Sequence, residues 1–312
     1  MKRLTRVLLC LLVVLPVWAK NGFDLSQSLL PLHHIQHGGP PRDGIPAIDA
    51  PRFVSALEAD FLSDEDRVLG LHLNGESKAY PIAIMNWHEI VNDTVGERAV
   101  AVTFCPLCGT GMAFDAHVAG QKRTFGVSGL LYQSDVLLYD RQSQSLWSQL
   151  MMQAISGPMA GQTLTLLPLR HTSWKDWRQA FPNTKVLSTE TGVARDYQRD
   201  PYAGYAQSTR VYFDTLHRAP PPYHPKEQVL GLVLNGQARA WPFKELSATG
   251  EAAVKEVWQG LPLTVEWREQ ARTARVLNER GEELPATVAF WFAWHTFYPE
   301  GSVYRAPRSS AK

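Results

Sequence analysis

Residues 68–81 read VLGLHLNGESKAYP, and the stretch returns nearly unchanged as VLGLVLNGQARAWP at 229–242. An apolar run, the dipeptide Asn74-Gly75 and a second run are typical of a β-hairpin, because Asn-Gly favours the two-residue turn that matches strand twist. Nine of the fourteen positions are identical at an offset of 161 residues. This repeat predicts two related β modules in one chain.

The composition of the whole chain predicts the same kind of structure. Of the 312 residues, 45% are hydrophobic and 20% charged, and 22 glycines with 21 prolines indicate short elements joined by many turns. We expect a mainly β, α+β fold of antiparallel strands and hairpins with few short helices, one of them within 84–93. The proline-rich segment 218–228 predicts a linker between a main domain, 20–217, and a C-terminal β module, 218–312, that repeats the first hairpin.

The N-terminus has the features of a cleavable secretory signal. Lys2, Arg3 and Arg6 precede the apolar run LLCLLVVLPV, and small residues end the segment at Ala19. We therefore predict a signal peptide over 1–19 that is cut after Ala19, and a periplasmic or secreted mature protein. No later stretch approaches the roughly 20 apolar residues of a transmembrane helix, so no membrane span is expected after cleavage.

The charge of the chain excludes several classes of partner. There are 31 basic and 30 acidic residues, and loss of the signal peptide removes three of the basic ones. A nearly neutral chain without basic runs is not typical of a nucleic-acid-binding protein or of a protein that binds anionic membrane surfaces.

The segment AVAVTFCPLCGTGMAFD, residues 99–115, holds the two cysteines that remain after signal cleavage. A disulfide between Cys105 and Cys108 closes a very short loop and would stabilise the fold little. A thioredoxin-type pair needs a helix N-terminus, whereas Gly109 and Gly111 predict a tight turn into a strand. A strand, Cys-Pro-x-Cys-Gly and a second strand together favour a metal-binding knuckle.

One knuckle supplies two of the four ligands that zinc sites usually have, and the chain has no second Cys-x-x-Cys motif. His88, which precedes the cysteine strand, is the candidate third metal ligand. Glu89 and Asp135 are the candidate catalytic residues, as a general base or as groups that orient a ligand. This ligand set suits zinc first, with copper and iron as further options.

Four segments resemble a family of exported bacterial and archaeal proteins known as domain of unknown function 3179. They are GGPPRDGIPAID (38–49), AYPIAIMNWHEIVND (79–93), FCPLCGTGMAFD (104–115) and FGVSGLLYQSDVLLYDRQSQSLWSQL (125–150). The resemblance covers most of the mature chain. It implies export and a shared cysteine–histidine block, and it implies no particular reaction.

Three functions fit these observations. The first is an exported protein that binds a metal or performs redox chemistry through the Cys105–Cys108 knuckle and a nearby histidine. The second is a metal-free thiol–disulfide oxidoreductase, or a partner of one. The third is a non-catalytic ligand-binding module with a structural disulfide. The partner would be a small molecule or a periplasmic redox or metal-handling protein, and both an enzyme and a binding protein are compatible with the motifs.

Overall fold

The structure, a computed structural model, describes residues 19–307. The described chain is mainly β, with 41% strand and 11% helix, which confirms the predicted fold class. None of the described helices combines the length and apolar character needed to cross a bilayer. The predicted signal peptide lies outside the described residues apart from Ala19, so it stays a prediction.

The described strands up to the linker are β1 (Ala19–Lys20), β2 (Phe23–Asp24), β3 (Ile35–His37), β4 (Phe53–Ser55), β5 (Arg67–Leu73), β6 (Glu76–Pro81), β7 (Ile90–Val95), β8 (Arg98–Cys105), β9 (Thr110–Asp115), β10 (His117–Val118), β11 (Gln121–Lys122), β12 (Phe125–Tyr132), β13 (Asp135–Asp140), β14 (Leu146–Ser148), β15 (Gln153–Ser156), β16 (Leu166–Leu167), β17 (Arg170–Ser173) and β18 (Lys185–Leu187). Those after it are β19 (Gln228–Leu234), β20 (Gln237–Pro242), β21 (Ala253–Trp258), β22 (Leu261–Arg268), β23 (Thr273–Leu277), β24 (Glu283–Leu284), β25 (Thr287–Phe290) and β26 (Ser302–Val303). The α-helices are α1 (Ile82–His88), α2 (Trp174–Ala180), α3 (Phe243–Thr249) and α4 (Trp291–Phe297).

The two copies of the sequence repeat fold alike. The first forms the β5–β6 hairpin followed by α1, and the second forms the β19–β20 hairpin followed by α3. In each copy a later strand pairs antiparallel with the first hairpin strand, and another pairs parallel with the second. The strand orders β17-β5-β6-β18-β4 and β25-β19-β20-β26 therefore share one topology, which confirms the two related β modules.

A glycine–tryptophan contact recurs at the same place in both modules. Gly70 on β5 lies against Trp177 of α2, and Gly231 on β19 lies against Trp294 of α4. A Cβ atom at either glycine would overlap the indole ring. The absence of a side chain at these positions lets each helix pack closely on its sheet.

The modules also share a meander and pack on each other reciprocally. The sheet β7-β8-β9-β16 in the first corresponds to β21-β22-β23-β24 in the second. Strand β25 of the second module packs against β9 of the first, and β17 of the first packs against β23 of the second. Because β9 corresponds to β23 and β17 to β25, the two contacts are equivalent. The turns that precede β9 and β23 therefore both lie between the modules.

Besides two two-stranded sheets, β1-β2 and β10-β11, the described chain has a fifth larger sheet, β15-β14-β13-β12-β3, of which β12 to β15 are inserted in the first module. The five larger sheets are arranged as propeller-like blades. Phe125 and Trp147 of the inserted sheet share a core with Phe114 of β9 and Phe290 of β25. The inserted sheet is thus packed directly on the strands that lead into and out of the cysteine turn.

Candidate functional site

The cysteines lie in a tight hairpin turn. Strand β8 ends at Cys105, which pairs with Thr110, the first residue of β9, and residues 106–109 form the turn. Gly109 has a left-handed backbone, with φ 61°, and a Cβ there would come within 2.8 Å of the Phe290 ring. No helix begins at the turn. The segment therefore has the predicted strand–turn–strand geometry, with glycine favoured at the last position of the turn, and its role as a metal-binding knuckle stays a prediction.

The turn places the sulfur atoms of both cysteines close together in the protein interior. Cys105 and Cys108 are free thiols with exposed fractions of 1% and 0%. The backbone carbonyl oxygen of Ser134 lies 3.2 Å from the Sγ atom of Cys108 and 3.9 Å from that of Cys105. The second hairpin that reaches this point is the β12–β13 hairpin, which belongs to the inserted sheet.

The turn of that second hairpin has an unusual backbone. Gln133 and Ser134 both have positive φ angles, 56° and 68°. Turns of this kind normally contain Asn or Gly, because other side chains are strained there. The Oε1 atom of Gln133 accepts hydrogen bonds from the Leu216 amide at 2.6 Å and from the Thr296 hydroxyl at 3.1 Å. These contacts hold the turn in place, and the next residue, Asp135, therefore lies beside the cysteines.

Asp135 completes a group of three potential metal ligands. One ligand atom from each of Asp135, Cys105 and Cys108 lies within 4.8 Å of the other two, and all three residues are buried. The Oδ2 atom of Asp135 accepts a hydrogen bond from the Leu150 amide at 3.0 Å. Its Oδ1 atom is buried without a hydrogen-bond partner among residues 19–307. A buried carboxyl oxygen left unpaired is costly, unless another group is bound there.

Burial makes every acidic group of this cluster hold its proton more tightly. It raises the pKa of Asp135 to about 7. Burial, with the nearby Asp135 charge as a second cause, raises the pKa of Glu89 to about 8. Burial also raises the pKa of both thiols, Cys108 more than Cys105. Burial thus favours the neutral forms of the two thiols and of the Asp135 carboxyl, and the Glu89 carboxyl lies near enough to interact with the Asp135 charge.

Glu89 links helix α1 to the cysteine strand. It ends α1 with a left-handed backbone, φ 56°, and its amide donates to the Met85 carbonyl at 2.8 Å. Its own carbonyl accepts a hydrogen bond from the Phe104 amide at 2.7 Å, one residue before Cys105. The Glu89 side chain is 7% exposed. The sequence interpretation of Glu89 and Asp135 as groups beside the cysteines is therefore compatible with their positions.

His88, the predicted third ligand, is not a member of this group. It is fully buried, and its Nδ1 atom donates to the Pro46 carbonyl at 2.7 Å. Its Nε2 atom lies 2.7 Å from the Tyr197 hydroxyl, which donates to it. Both ring nitrogens therefore have hydrogen-bond partners, and neither partner belongs to the cysteine turn. Coordination by His88 stays a prediction that requires the ring to leave both contacts, and Asp135 holds the third position in the structure.

A cavity of about 490 Å³ adjoins the cysteine turn. Pro106 and Gly109 of the turn line it from the first module, and Phe290 lines it from the second. A second cavity, of about 640 Å³, lies elsewhere between the modules, near Glu65 and Trp267. No residue of the cysteine turn lines it. The walls of the cleft beside the cysteines come from both modules, so no local sequence pattern marks it.

The fold and the site define a mainly β protein of two related modules with a buried cluster of two cysteines and one aspartate. The chain belongs to the family described as Protein of unknown function (DUF3179), whose model matches residues 42–301. The resemblance seen in the sequence motifs is thereby confirmed at the level of the family. No curated protein and no solved structure matches the chain.

Proposed function

We propose that the protein is an exported metal-binding protein whose centre is formed by Cys105, Cys108 and Asp135. The observation that supports this most directly is the buried Oδ1 atom of Asp135. It has no hydrogen-bond partner in the described chain and belongs to a carboxyl group that faces two thiols within 4.8 Å. A bound cation gives that oxygen a partner and compensates the charge of the thiolates.

The energetics of the cluster favour a functional role over a structural one. Burying ionisable groups together costs free energy, and apolar side chains of similar size would pack there at lower cost. Groups with strongly shifted pKa values in one site are typical of catalytic or binding centres. Metal binding explains these raised pKa values together, because a cation displaces the protons that burial otherwise retains on the ligands.

The ligand types favour zinc, with copper and iron as further options. Zinc binds thiolate sulfur and carboxylate oxygen, and three protein ligands leave a fourth position for water or for another molecule. When bound, a zinc ion with such an open position can act as a Lewis acid. Glu89 would then be the acid–base group beside the centre, since its raised pKa of about 8 lies close to neutral pH.

A metal-free thiol–disulfide exchanger is the second candidate function. The free thiols of Cys105 and Cys108 lie close together, and the Asp135 carboxylate beside them could accept a proton from a thiol. Two facts weigh against it. Both cysteines are at most 1% exposed, and burial raises both thiol pKa values, whereas a reactive exchanger needs an accessible thiolate.

Metal analysis of the full-length protein purified from the periplasm tests the proposal. We expect one equivalent of metal in the wild type, its loss in Cys105→Ser and Asp135→Asn, and retention in the surface control Asp64→Asn. Absence of stoichiometric metal, together with a readily reversible Cys105–Cys108 couple, would favour the exchanger. Metal-free protein with an inert disulfide, whose removal only lowers the melting temperature, would favour the non-catalytic ligand-binding module.

A further inference from the structure

The cavity beside the cysteine turn collects three cationic side chains from both modules. Arg67 begins β5 of the first module, Arg272 ends the turn before β23 of the second, and Lys226 lies on the linker. Within residues 19–307, none of the three has a carboxylate oxygen within 4 Å, although most of the ion pairs in this part of the chain use arginine. The three cations thus form no direct ion pair, although the charges of Asp176 and Glu65 act on Arg67 from a greater distance.

The two arginines are held in place by neutral oxygens. The guanidinium of Arg67 donates to the backbone carbonyls of Ala271 at 2.5 Å and Arg272 at 3.0 Å. That of Arg272 donates to the side-chain oxygen of Gln228 at 2.9 and 3.2 Å. Gln228 occupies in the second module the position that Arg67 occupies in the first, directly before the repeated hairpin. These contacts fix the guanidinium groups but supply no negative charge.

Of the three cations, Lys226 gives the strongest indication of a bound anion, because its side chain is buried. Its exposed fraction is 5%, and its Nζ atom donates to the backbone carbonyls of Ser208 at 3.2 Å and Arg210 at 2.7 Å. The same atom lies 3.9 Å from the centre of the Tyr205 ring. A buried ammonium group without a counter-ion is costly, and such groups are normally paired or bound to a ligand.

The opposing charges near the cavity are few. Asp200 is the carboxylate among the residues that line it, and its oxygen accepts from the Asn86 side chain at 3.1 Å and the Tyr202 amide at 2.9 Å. His171 adds no positive charge at neutral pH, because burial lowers its pKa to about 4. Among the lining residues, three cations therefore face one carboxylate, while Asp176 and Glu65, whose charges also act on Arg67, lie outside the lining.

We propose that this cavity binds a small organic anion, whose carboxylate or phosphate group is held by Arg67, Arg272 and Lys226. Guanidinium groups match the planar geometry of such oxyanions, and lysine adds a point charge. Phe104 and Phe290 on the cavity wall offer an apolar surface to the rest of the molecule. The site goes beyond the metal centre and does not require it, since none of its three cations belongs to that centre.

Isothermal titration calorimetry of the full-length protein tests this with three probes: benzoate, its neutral analogue benzamide, and inorganic phosphate. We expect benzoate or phosphate to bind at millimolar concentration and benzamide not to bind. Arg272→Gln should weaken binding by about tenfold, the cost of losing a charge-assisted hydrogen bond. Arg280→Gln, an exposed arginine outside the cavity, is the matched control. The Cys105→Ser variant should bind the anion as the wild type does, which separates this site from the metal centre.

The pattern of results identifies the ligand class or rejects the site. Binding of benzoate alone indicates a carboxylate ligand, and binding of phosphate alone indicates a phosphorylated one. Should Arg272→Gln fail to fold, Lys226→Gln takes its place with the same expected loss. Equal binding of benzoate and benzamide, no binding of either anion, or equal weakening by Arg280→Gln would overturn the proposal.

Discussion

The Sγ atom of Cys108 lies 3.2 Å from the backbone carbonyl oxygen of Ser134, and this contact joins two hairpins of different sheets. Cys108 belongs to the turn between β8 and β9, whereas Ser134 belongs to the turn of the inserted sheet. The contact places the next residue, Asp135, against both sulfurs. The candidate centre thus depends on how the inserted sheet packs on the first module.

The bound metal should stabilise the fold. We expect zinc to raise the melting temperature of the metal-free wild type, with a gain of about 2.7 kcal/mol in the free energy of unfolding at a free metal concentration near 100 times Kd. Differential scanning calorimetry with and without a chelator measures this. Cys105→Ser and Asp135→Asn should show no such gain, while Asp64→Asn should respond as the wild type does. A gain of equal size in Cys105→Ser would contradict the assignment.

Glu89 should make the metal-free protein less stable as pH rises. Its pKa is about 8 in the folded protein against an ordinary value of 4.5, so the folded state binds the proton more tightly. The contribution of Glu89 to the free energy of unfolding therefore falls between pH 4.5 and 8, by on the order of a few kcal/mol, and is level above that range. Glu89→Gln should flatten this fall in chemical denaturation curves. The exposed control Glu279→Gln should leave the slope of the wild type intact.

His171 should make the protein less stable as pH falls, which is opposite to the effect of Glu89. Its Nε2 atom accepts a hydrogen bond from the Gly111 amide at 3.0 Å, and burial lowers its pKa to about 4 from 6.5. Between these values the unfolded state binds the His171 proton more tightly, so the contribution of His171 to stability falls as pH falls, by about 3 kcal/mol in total. His171→Gln should remove most of this dependence in urea denaturation from pH 7 to 4. The exposed His37→Gln is the control, and an unchanged slope in His171→Gln would refute the assignment.

The glycine–tryptophan contacts should be energetically equivalent in the two modules. Gly70→Ala and Gly231→Ala should each lower the free energy of unfolding by about 1–3 kcal/mol, because the added methyl group overlaps an indole ring. Denaturant titration measures both. In the Trp177→Leu background the cost of Gly70→Ala should shrink, while that of Gly231→Ala should not. Equal costs of Gly70→Ala in both backgrounds would show that the contact with Trp177 is not responsible.

Much of the fold could be predicted from the sequence, because its main signals are local. The dipeptides Asn74-Gly75 and Asn235-Gly236 predict the turns of the repeated hairpins, and Gly109 predicts the turn at the cysteines. A second part of the repeat was missed. The pattern Trp-x-x-Trp-x-x-x-Phe/Tyr-Pro occurs at 174–182 and again at 291–299, and it marks the equivalent helices α2 and α4.

The site could be predicted only in part, because its third ligand depends on packing between sheets. His88 and Glu89 are adjacent in sequence, but the His88 ring contacts Pro46 and Tyr197, which lie 42 and 109 residues away along the chain. Asp135 reaches the cysteines through the Gln133–Ser134 turn, which lacks the Asn or Gly that normally signals this geometry. Sequence spacing does not predict contacts between residues that are brought together by the packing of two sheets.

X-ray absorption spectroscopy of the zinc-loaded protein tests the central claim most directly. Coordination by Cys105, Cys108 and Asp135 predicts two sulfur neighbours at about 2.3 Å and lighter oxygen neighbours at about 2.0–2.2 Å. The sulfur signal should halve in Cys105→Ser, and the imidazole scattering pattern should be absent. A first shell without sulfur, or one that is unchanged in Cys105→Ser, would contradict the proposed metal centre.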